Sequence, residues 1–370
     1  MRRSTLVFLL GLTIVLGLTG AWLVAERIRV TSADLSGRPL MPDLKGALND
    51  VATVAIEGAE GRFTLKRVDG ERWVMPERGD YPADFGKIRR LLVGLSDMVA
   101  IEPKTARPDR YHFLDVEDVG PGTKGLRVTA ADSSGTAIAD IILGRPVDTL
   151  GASRLPRYFV RLAGQDASWE AEADIRPERG AAAWLDRELL VVAPERFATV
   201  AVTRNGETAT IARETPTGDF AVEGQDADAI LPKKGRIGAL AVAATYLALE
   251  DVQKVKGAPD GKPLATVEYK TFDGLTLTLN LVSIDGQGWT TIEASAGRPE
   301  VAPVDVKGPD GEPLLKDAET VRAEAGAINA RTKGWLYRLD GTRVIDLTPA
   351  PGDLFDPKPA PVPEATPDTP

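Results

Sequence analysis

The run from Ser4 to Ala25 carries no charged side chain, and this stretch decides which compartment the rest of the chain must fold in. As a helix rising ~1.5 Å per residue it would span about 33 Å, which matches a hydrocarbon core of roughly 30 Å. Leu9, Leu10, Ile14, Val15 and Leu16 offer lipid-facing surface, and Trp22 sits near the far end, where an indole favours the headgroup zone. Arg2 and Arg3 precede the run, so the N-terminus is expected in the cytoplasm and everything after Ala25 outside it. A cleaved signal peptide would have an apolar core of about 7–15 residues and an A-x-A-like exit. Here the run is longer and its small-residue exit is Thr19-Gly20-Ala21. Residues 1–25 are therefore expected to be a short cytoplasmic segment and an uncleaved transmembrane signal-anchor.

Composition narrows what the exported part can be. The 370 residues carry a net charge of −9, which repels phosphate backbones, so no nucleic-acid partner is expected. There is no cysteine, which removes disulfides, thiolate nucleophiles, iron–sulfur clusters and cysteine zinc sites. His112 is the sole histidine, so neither a histidine metal site nor a serine–histidine pair is readily assembled.

Residues 26–50 contain Gly37, Pro39, Pro42 and Gly46 and read as a linker. From Val51 the texture changes to alternation. Val51-Ala-Thr-Val-Ala-Ile56, Arg62-Phe-Thr-Leu-Lys-Arg67 and Arg72-Trp-Val-Met75 read as three short strands. Asp84 then caps a predicted helix with Phe85, Ile88, Leu92, Leu95 and Val99 on one face. Further strands are predicted over Leu126–Thr129, Ala137–Leu143, Arg157–Leu162 and Ser168–Ile175, and a short helix over Ala181–Leu190.

The pattern then begins again. Phe197-Ala-Thr-Val-Ala-Val202 repeats the first strand, and Ile237, Leu240, Ala244 and Leu247 repeat the helix face at a slightly larger offset. Trp335-Leu-Tyr-Arg-Leu-Asp-Gly341 echoes Tyr158-Phe-Val-Arg-Leu-Ala-Gly164. A period this long means two similar domains rather than a solenoid. The expected fold is α+β: two similar β-rich halves from an internal duplication, residues 51–195 and 196–348, each a mostly antiparallel sheet with a packing helix. The second half carries an extra stretch near Val301–Lys333, with Ala318, Val321, Ala325 and Ile328 on one helix face. Residues 349–370 are rich in Pro, Ala and Asp and read as a disordered tail.

Candidate chemistry is sparse. Asp115, Glu117 and Asp118, and Asp226 and Asp228, lie in polar loop-like stretches; acid–base work would need the fold to set their distance and desolvate one of them. His112, in Tyr111-His-Phe-Leu114, is expected to be a partly buried structural residue. The 36 glycines include no P-loop or strand-linked G-x-G-x-x-G, and G-x-S-x-G and H-E-x-x-H are also missing. Trp73, Trp169, Trp184, Trp289 and Trp335 sit among apolar neighbours, which favours packing over ligand stacking. The expectation is a non-enzyme with no catalytic, cofactor-binding or metal-ligating residues and no cofactor.

Several segments together resemble the bacterial domain-of-unknown-function family 4340. They are Thr64-Leu-Lys-Arg67, Trp73, Tyr81-Pro-Ala-Asp84 leading into the helix to Leu95, Arg157-Tyr-Phe-Val-Arg161 and Trp184-Leu-Asp186, with Trp335-Leu-Tyr-Arg338 in the second half. The resemblance spans about Val51 to Leu347, and Tyr111–Asp118 matches the family's Gly-Leu-Asp region only loosely. It implies a single-pass protein of the bacterial inner membrane that faces the periplasm. It further implies an accessory or substrate-handling subunit of an ABC-type transport system similar to that linked with gliding motility, with a permease as partner. It implies no catalytic residues. The alternative is a free-standing envelope module that binds glycan or lipid through an aromatic cleft.

Overall fold

A computed structural model describes residues 37–148, 155–224, 230–299, 307, 311 and 313–357. The expected signal-anchor, Asp226 and Asp228, and residues 358–370 of the expected tail lie outside the described residues. Among the described residues no helix is long and apolar enough to cross a membrane. The chain forms two compact units, Met1–Asp186 and Arg187–Pro370, each a mixed α+β assembly around antiparallel sheet.

In the first unit helix α1 (Pro42–Ala47) precedes strands β1 (Thr53–Gly58), β2 (Gly61–Asp69), β3 (Arg72–Met75) and β4 (Tyr81–Pro82). Helix α2 (Phe85–Ser96) follows, then β5 (Val99–Pro103), β6 (Leu126–Ala131), β7 (Ala137–Pro146), β8 (Arg157–Leu162) and β9 (Ser168–Glu172). The sheet order is β4-β3-β2-β1-β6-β7-β8-β9-β5. Alternation sorts the faces: Val54 and Ile56 are fully buried opposite Leu65 and Phe63 on β2, while Thr53 and Ala55 point to the outer face. The α2 helix starts where expected, with the Asp84 carboxylate accepting from the Lys87 N–H at 3.0 Å, and it buries Ile88, Leu91, Leu92 and Leu95. Its Gly94 is required, because a Cβ there would lie 2.4 Å from Ile175 Cγ2 and 2.7 Å from the Asp174 carbonyl oxygen.

The linker expectation for residues 26–50 is corrected over its described part. Pro42–Ala47 is helical, with Pro at the start of the helix where its missing N–H costs nothing, and Leu44 is fully buried. The Ala181–Leu190 helix is corrected too. Ala181–Trp184 is one 3₁₀ turn, and the chain then extends as β10 (Glu188–Val191), which pairs within the second unit. The division therefore falls after Asp186, earlier than the expected 195/196 boundary.

The second unit continues with β11 (Phe197–Arg204), β12 (Glu207–Ala212), β13 (Ala221–Val222), β14 (Ile230–Pro232), helix α3 (Lys234–Val242), β15 (Tyr246–Ala248) and β16 (Asp251–Lys254). Then come β17 (Lys262–Thr271), β18 (Leu275–Ile284), β19 (Gln287–Ala296), helix α4 (Ala318–Thr332), β20 (Trp335–Arg338), helix α5 (Gly341–Leu347) and β21 (Phe355–Pro357). The main sheet runs β13-β12-β11-β17-β18-β19-β20-β16, and β10 pairs β15 while β14 pairs β21. Helix α3 is shorter than its apolar spacing predicts: Leu247 lies in β15, opposite Leu190, because strand pairing takes over after the turn that follows Val242. The tail expectation is corrected over residues 349–357: Leu354 is fully buried, and β21 pairs β14 from Phe355 to Pro357.

Apart from β4, the chain visits the two main sheets in the same order, β3-β2-β1-β6-β7-β8-β9-β5 and β13-β12-β11-β17-β18-β19-β20-β16. One sequence echo falls out of line with this order. Trp335–Arg338 is β20, which occupies the place of β9, whereas Tyr158 lies in β8, whose counterpart is β19. Short alternating strands resemble one another whichever position they hold, and the insertion of α4 between β19 and β20 hides the shift.

Candidate functional site

The two sheets carry similar inner faces and very different outer ones. On β18 Leu275, Leu277, Leu279 and Leu281 point inward and are buried, so Thr276, Thr278 and Asn280 line the outer side. Residues directly opposite in antiparallel pairs share a face. Thr203 on β11 faces Thr266 on β17, Thr266 faces Asn280 on β18, and Asn280 faces Thr291 on β19. These four side chains form one polar row across four strands, about 14 Å long at ~4.8 Å between strands. Within it the Thr266 hydroxyl donates to Asn280 Oδ1 at 3.0 Å. Beyond its end, Thr203 and Thr208 share a hydroxyl–hydroxyl bond of 2.8 Å.

This row lies in a groove of about 1260 Å³. It is walled by the β16–β17 connection with Ala258 and Pro259, continued by Pro263 at the start of β17, and by the C-terminal end of α4 with Lys333, Gly334 and Trp335; the two meet where the Val255 N–H donates to the Gly334 carbonyl at 2.9 Å. The Asn205-Gly206 turn closes one end; both residues have positive φ, 53° and 84°, the left-handed pair that a two-residue hairpin demands. The Lys254 ammonium lies 5.4 Å from the centroid of the Trp335 ring system, a cation–π distance. Glu293 and Lys333 are the charged side chains that line the groove.

Helix α4 is set in place by polar contacts. The Asp317 carboxylate caps its start, accepting from the Glu319 and Thr320 N–H groups. Near its end the Asn329 amide acts as a strand residue would: Nδ2 donates to the Ala294 carbonyl at 2.7 Å and Oδ1 accepts from the Ala294 N–H at 2.8 Å. Arg196, itself 3% exposed, ties the helix to the β17–β18 turn. It holds Asp273 through Nε at 2.9 Å and Glu324 through Nη1 at 2.9 Å. Burial pushes both carboxyls up, but hydrogen bonds and charge from Arg196, with the Thr271 hydroxyl and Lys316 N–H on Asp273 and the Lys316 ammonium on Glu324, more than offset it. Both sit below the usual carboxylate range.

In the first unit the outer face over β7 and β8 is filled. The β5–β6 connection, residues 104–125, is much longer than its counterpart, residues 255–261. It lays Tyr111 and Val116 against Ile142, with Leu114 and Phe159 packed around them. Arg161 clamps the cover from below, donating to the Val116 carbonyl at 2.8 Å and the Gln165 carbonyl at 3.1 Å. Its guanidinium lies 4.7 Å from the Tyr111 ring centroid and pairs with Asp118. Gly144 permits the contact, since a Cβ there would lie 2.2 Å from the Leu114 carbonyl oxygen.

The residues weighed from sequence are scattered. His112 is exposed, not partly buried, on the 3₁₀ turn Pro108–Phe113, its ring 3.9 Å from that of Phe113; the turn aims its neighbour Tyr111 inward instead. Asp118 is spent on Arg161, and Asp115 and Glu117 lie in the same cover. Among the described residues no three His, Asp or Glu side chains gather as a metal would require. Trp73, Trp169 and Trp184 are buried as packing residues, whereas Trp335 lines the groove. The threonine–asparagine row was not singled out from sequence; its one signal is the Thr-x-Thr-x-Asn alternation of residues 276–280.

No curated protein and no solved structure matches the chain. The family model described as Domain of unknown function (DUF4340) matches residues 73–288. That span, more than half of the chain, runs from β3 of the first unit into β19 of the second and so takes in the four-strand floor of the groove up to its last strand. The chain belongs to the DUF4340 family.

Proposed function

We propose that this protein is a non-enzymatic recognition subunit of an ABC-type envelope transport system, anchored in the bacterial inner membrane by Ser4–Ala25 with its two units in the periplasm. The observation that carries the reading is the groove on the second unit, open where the first unit's matching face is filled by its own loop. Large concave sites with a few convergent polar groups are where ligands bind. The row offers hydroxyl and amide groups bonded to one another; a threonine hydroxyl becomes a nucleophile only beside a general base. Holding a ligand, rather than converting it, is what such a surface does. The common strand order supports the further reading that the units descend from one duplicated module.

Affinity purification of the full-length chain from detergent-solubilised membranes tests the transport role. Recovery of an ATP-binding-cassette permease is expected, and recovery of unrelated proteins alone would overturn it. A second reading, a free-standing envelope module that binds glycan or lipid, is favoured by Trp335 at the groove wall. It predicts ligand binding by the same groove with no permease attached.

A further inference from the structure

We infer that the groove of the second unit takes an unbranched, neutral oligosaccharide, laid across the strands along the row Thr203, Thr266, Asn280 and Thr291. This rests on the groove being the binding site of the proposed function.

The chemistry of the floor selects the ligand class. Threonine hydroxyls and the asparagine amide each both donate and accept, and so does every hydroxyl of a sugar. Among the described residues, the charged side chains that line the groove, Glu293 and Lys333, are of opposite sign, and the chain as a whole carries −9. With Lys254 beside Trp335, two lysines face one glutamate here, fewer than the clustered Lys and Arg that a polyanion needs against the overall negative field. An extended peptide is disfavoured for a different reason. Its backbone groups demand partners, and peptides usually find them on a strand edge. Here the backbone groups of β17 and β18 are spent in ladders on both sides, and on β19 the Ala294 backbone groups are taken by the Asn329 amide, so the middle of the floor presents side chains.

Size and wall fit the same class. A volume of about 1260 Å³ exceeds the ~300–1,000 Å³ usual for a single small molecule, leaving room for several sugar rings. Trp335 lines the same groove with Lys254 over its ring, and an indole together with hydrogen-bonding groups suits a sugar ring with one apolar face and a polar rim. Pro259 and Pro263 stiffen the β16–β17 connection that lines the groove, so little ordering is required on binding.

The test is calorimetric titration of the full-length protein, in a detergent without a sugar headgroup, with maltohexaose, cellohexaose and chitohexaose. An anionic alginate hexamer and an uncharged extended hexapeptide are the comparison probes. At least one neutral hexasaccharide is expected to bind, and to bind more tightly than its own disaccharide. Thr291→Val and Asn280→Leu, which keep shape and remove hydrogen-bonding groups, are expected to weaken it roughly three- to tenfold each, and Trp335→Phe by a similar factor. His112→Ala, in the first unit and not among the residues that line the groove, should leave affinity unchanged. Failure of all three neutral probes overturns the inference, as does loss of affinity no greater in the groove variants than in His112→Ala. Binding of the peptide or the alginate alone, weakened by Asn280→Leu, would refute the sugar while leaving the groove as the site. Silence of every probe together with no permease on purification would remove both readings.

Discussion

Two sheets with one strand order meet solvent in opposite ways. In the first unit the outer side of β7 and β8 carries Ile142 and Phe159, and a long loop must cover them. In the second unit the corresponding strands carry Asn280 and Thr291, and a short connection leaves them lining a groove. The inner faces hardly differ, since both are leucine, valine and isoleucine at alternate positions. The difference teaches that in such a module the ladder sets the scaffold, while the length of one connection decides whether a surface is core or site.

The largest effect should come from cutting the tie that holds the groove's helical wall. Arg196→Met leaves Asp273 and Glu324 without their buried partner and is expected to cost about 3–5 kcal/mol. Urea unfolding followed by limited proteolysis should show the second unit giving way first; loss of both units together would break the idea that they are separately stabilised. The same pair makes the second unit acid-sensitive. Asp273 and Glu324 have folded-state values below their unfolded ones, so their contribution is complete above the unfolded carboxylate range of about 4 and is lost as pH falls through the lower folded values. Unfolding midpoints measured between neutral pH and pH 3 should decline more steeply in wild type than in Arg196→Met. Equal slopes would assign the acid sensitivity elsewhere.

Uncovering the first unit comes next. Tyr111 is buried against Arg161 and donates its hydroxyl to the Asp166 carbonyl at 2.7 Å. Tyr111→Ala is expected to cost about 3 kcal/mol and to open residues 104–125 to protease, giving the first unit the exposed face that the second has natively. An unchanged digestion pattern would mean that the loop is held by other contacts. Gly144→Ala approaches the same end by crowding, with the new methyl meeting the Leu114 carbonyl, at a cost of about 1–3 kcal/mol. The smallest effect belongs to His112→Ala, expected within about 0.5 kcal/mol because the ring is exposed; a larger loss would show that the cover leans on its surface as well as its core.

Much of the scaffold was legible because it rests on local periodicity. Val54 and Ile56, or the run of alternate leucines on β18, declare a half-buried strand within a few residues, and Asp84 with Lys87 declares a helix start. Elements that depend on distant partners were not legible. Leu190 and Leu247 look helical in spacing, yet they face each other as paired strands. Phe355–Pro357 looks like structureless tail but completes a two-stranded sheet with Ile230–Pro232. The groove was hidden for a related reason. Threonine at alternate positions marks an outward face, but nothing in the residues themselves says whether a loop elsewhere will cover it.

The Asn329 amide, bonded to both backbone groups of Ala294, has a consequence for the protein at high concentration. The registered pairing of β19 with β20 covers only Trp289 and Thr290, so beyond Thr290 that side of β19 has no registered strand beside it. Open edges recruit strands from other copies of the chain and seed aggregates. A side chain on the inserted helix blocks that edge at its middle without adding a strand. Asn329→Ala should therefore leave the monomer folded but raise its tendency to aggregate on mild heating, which light scattering would detect.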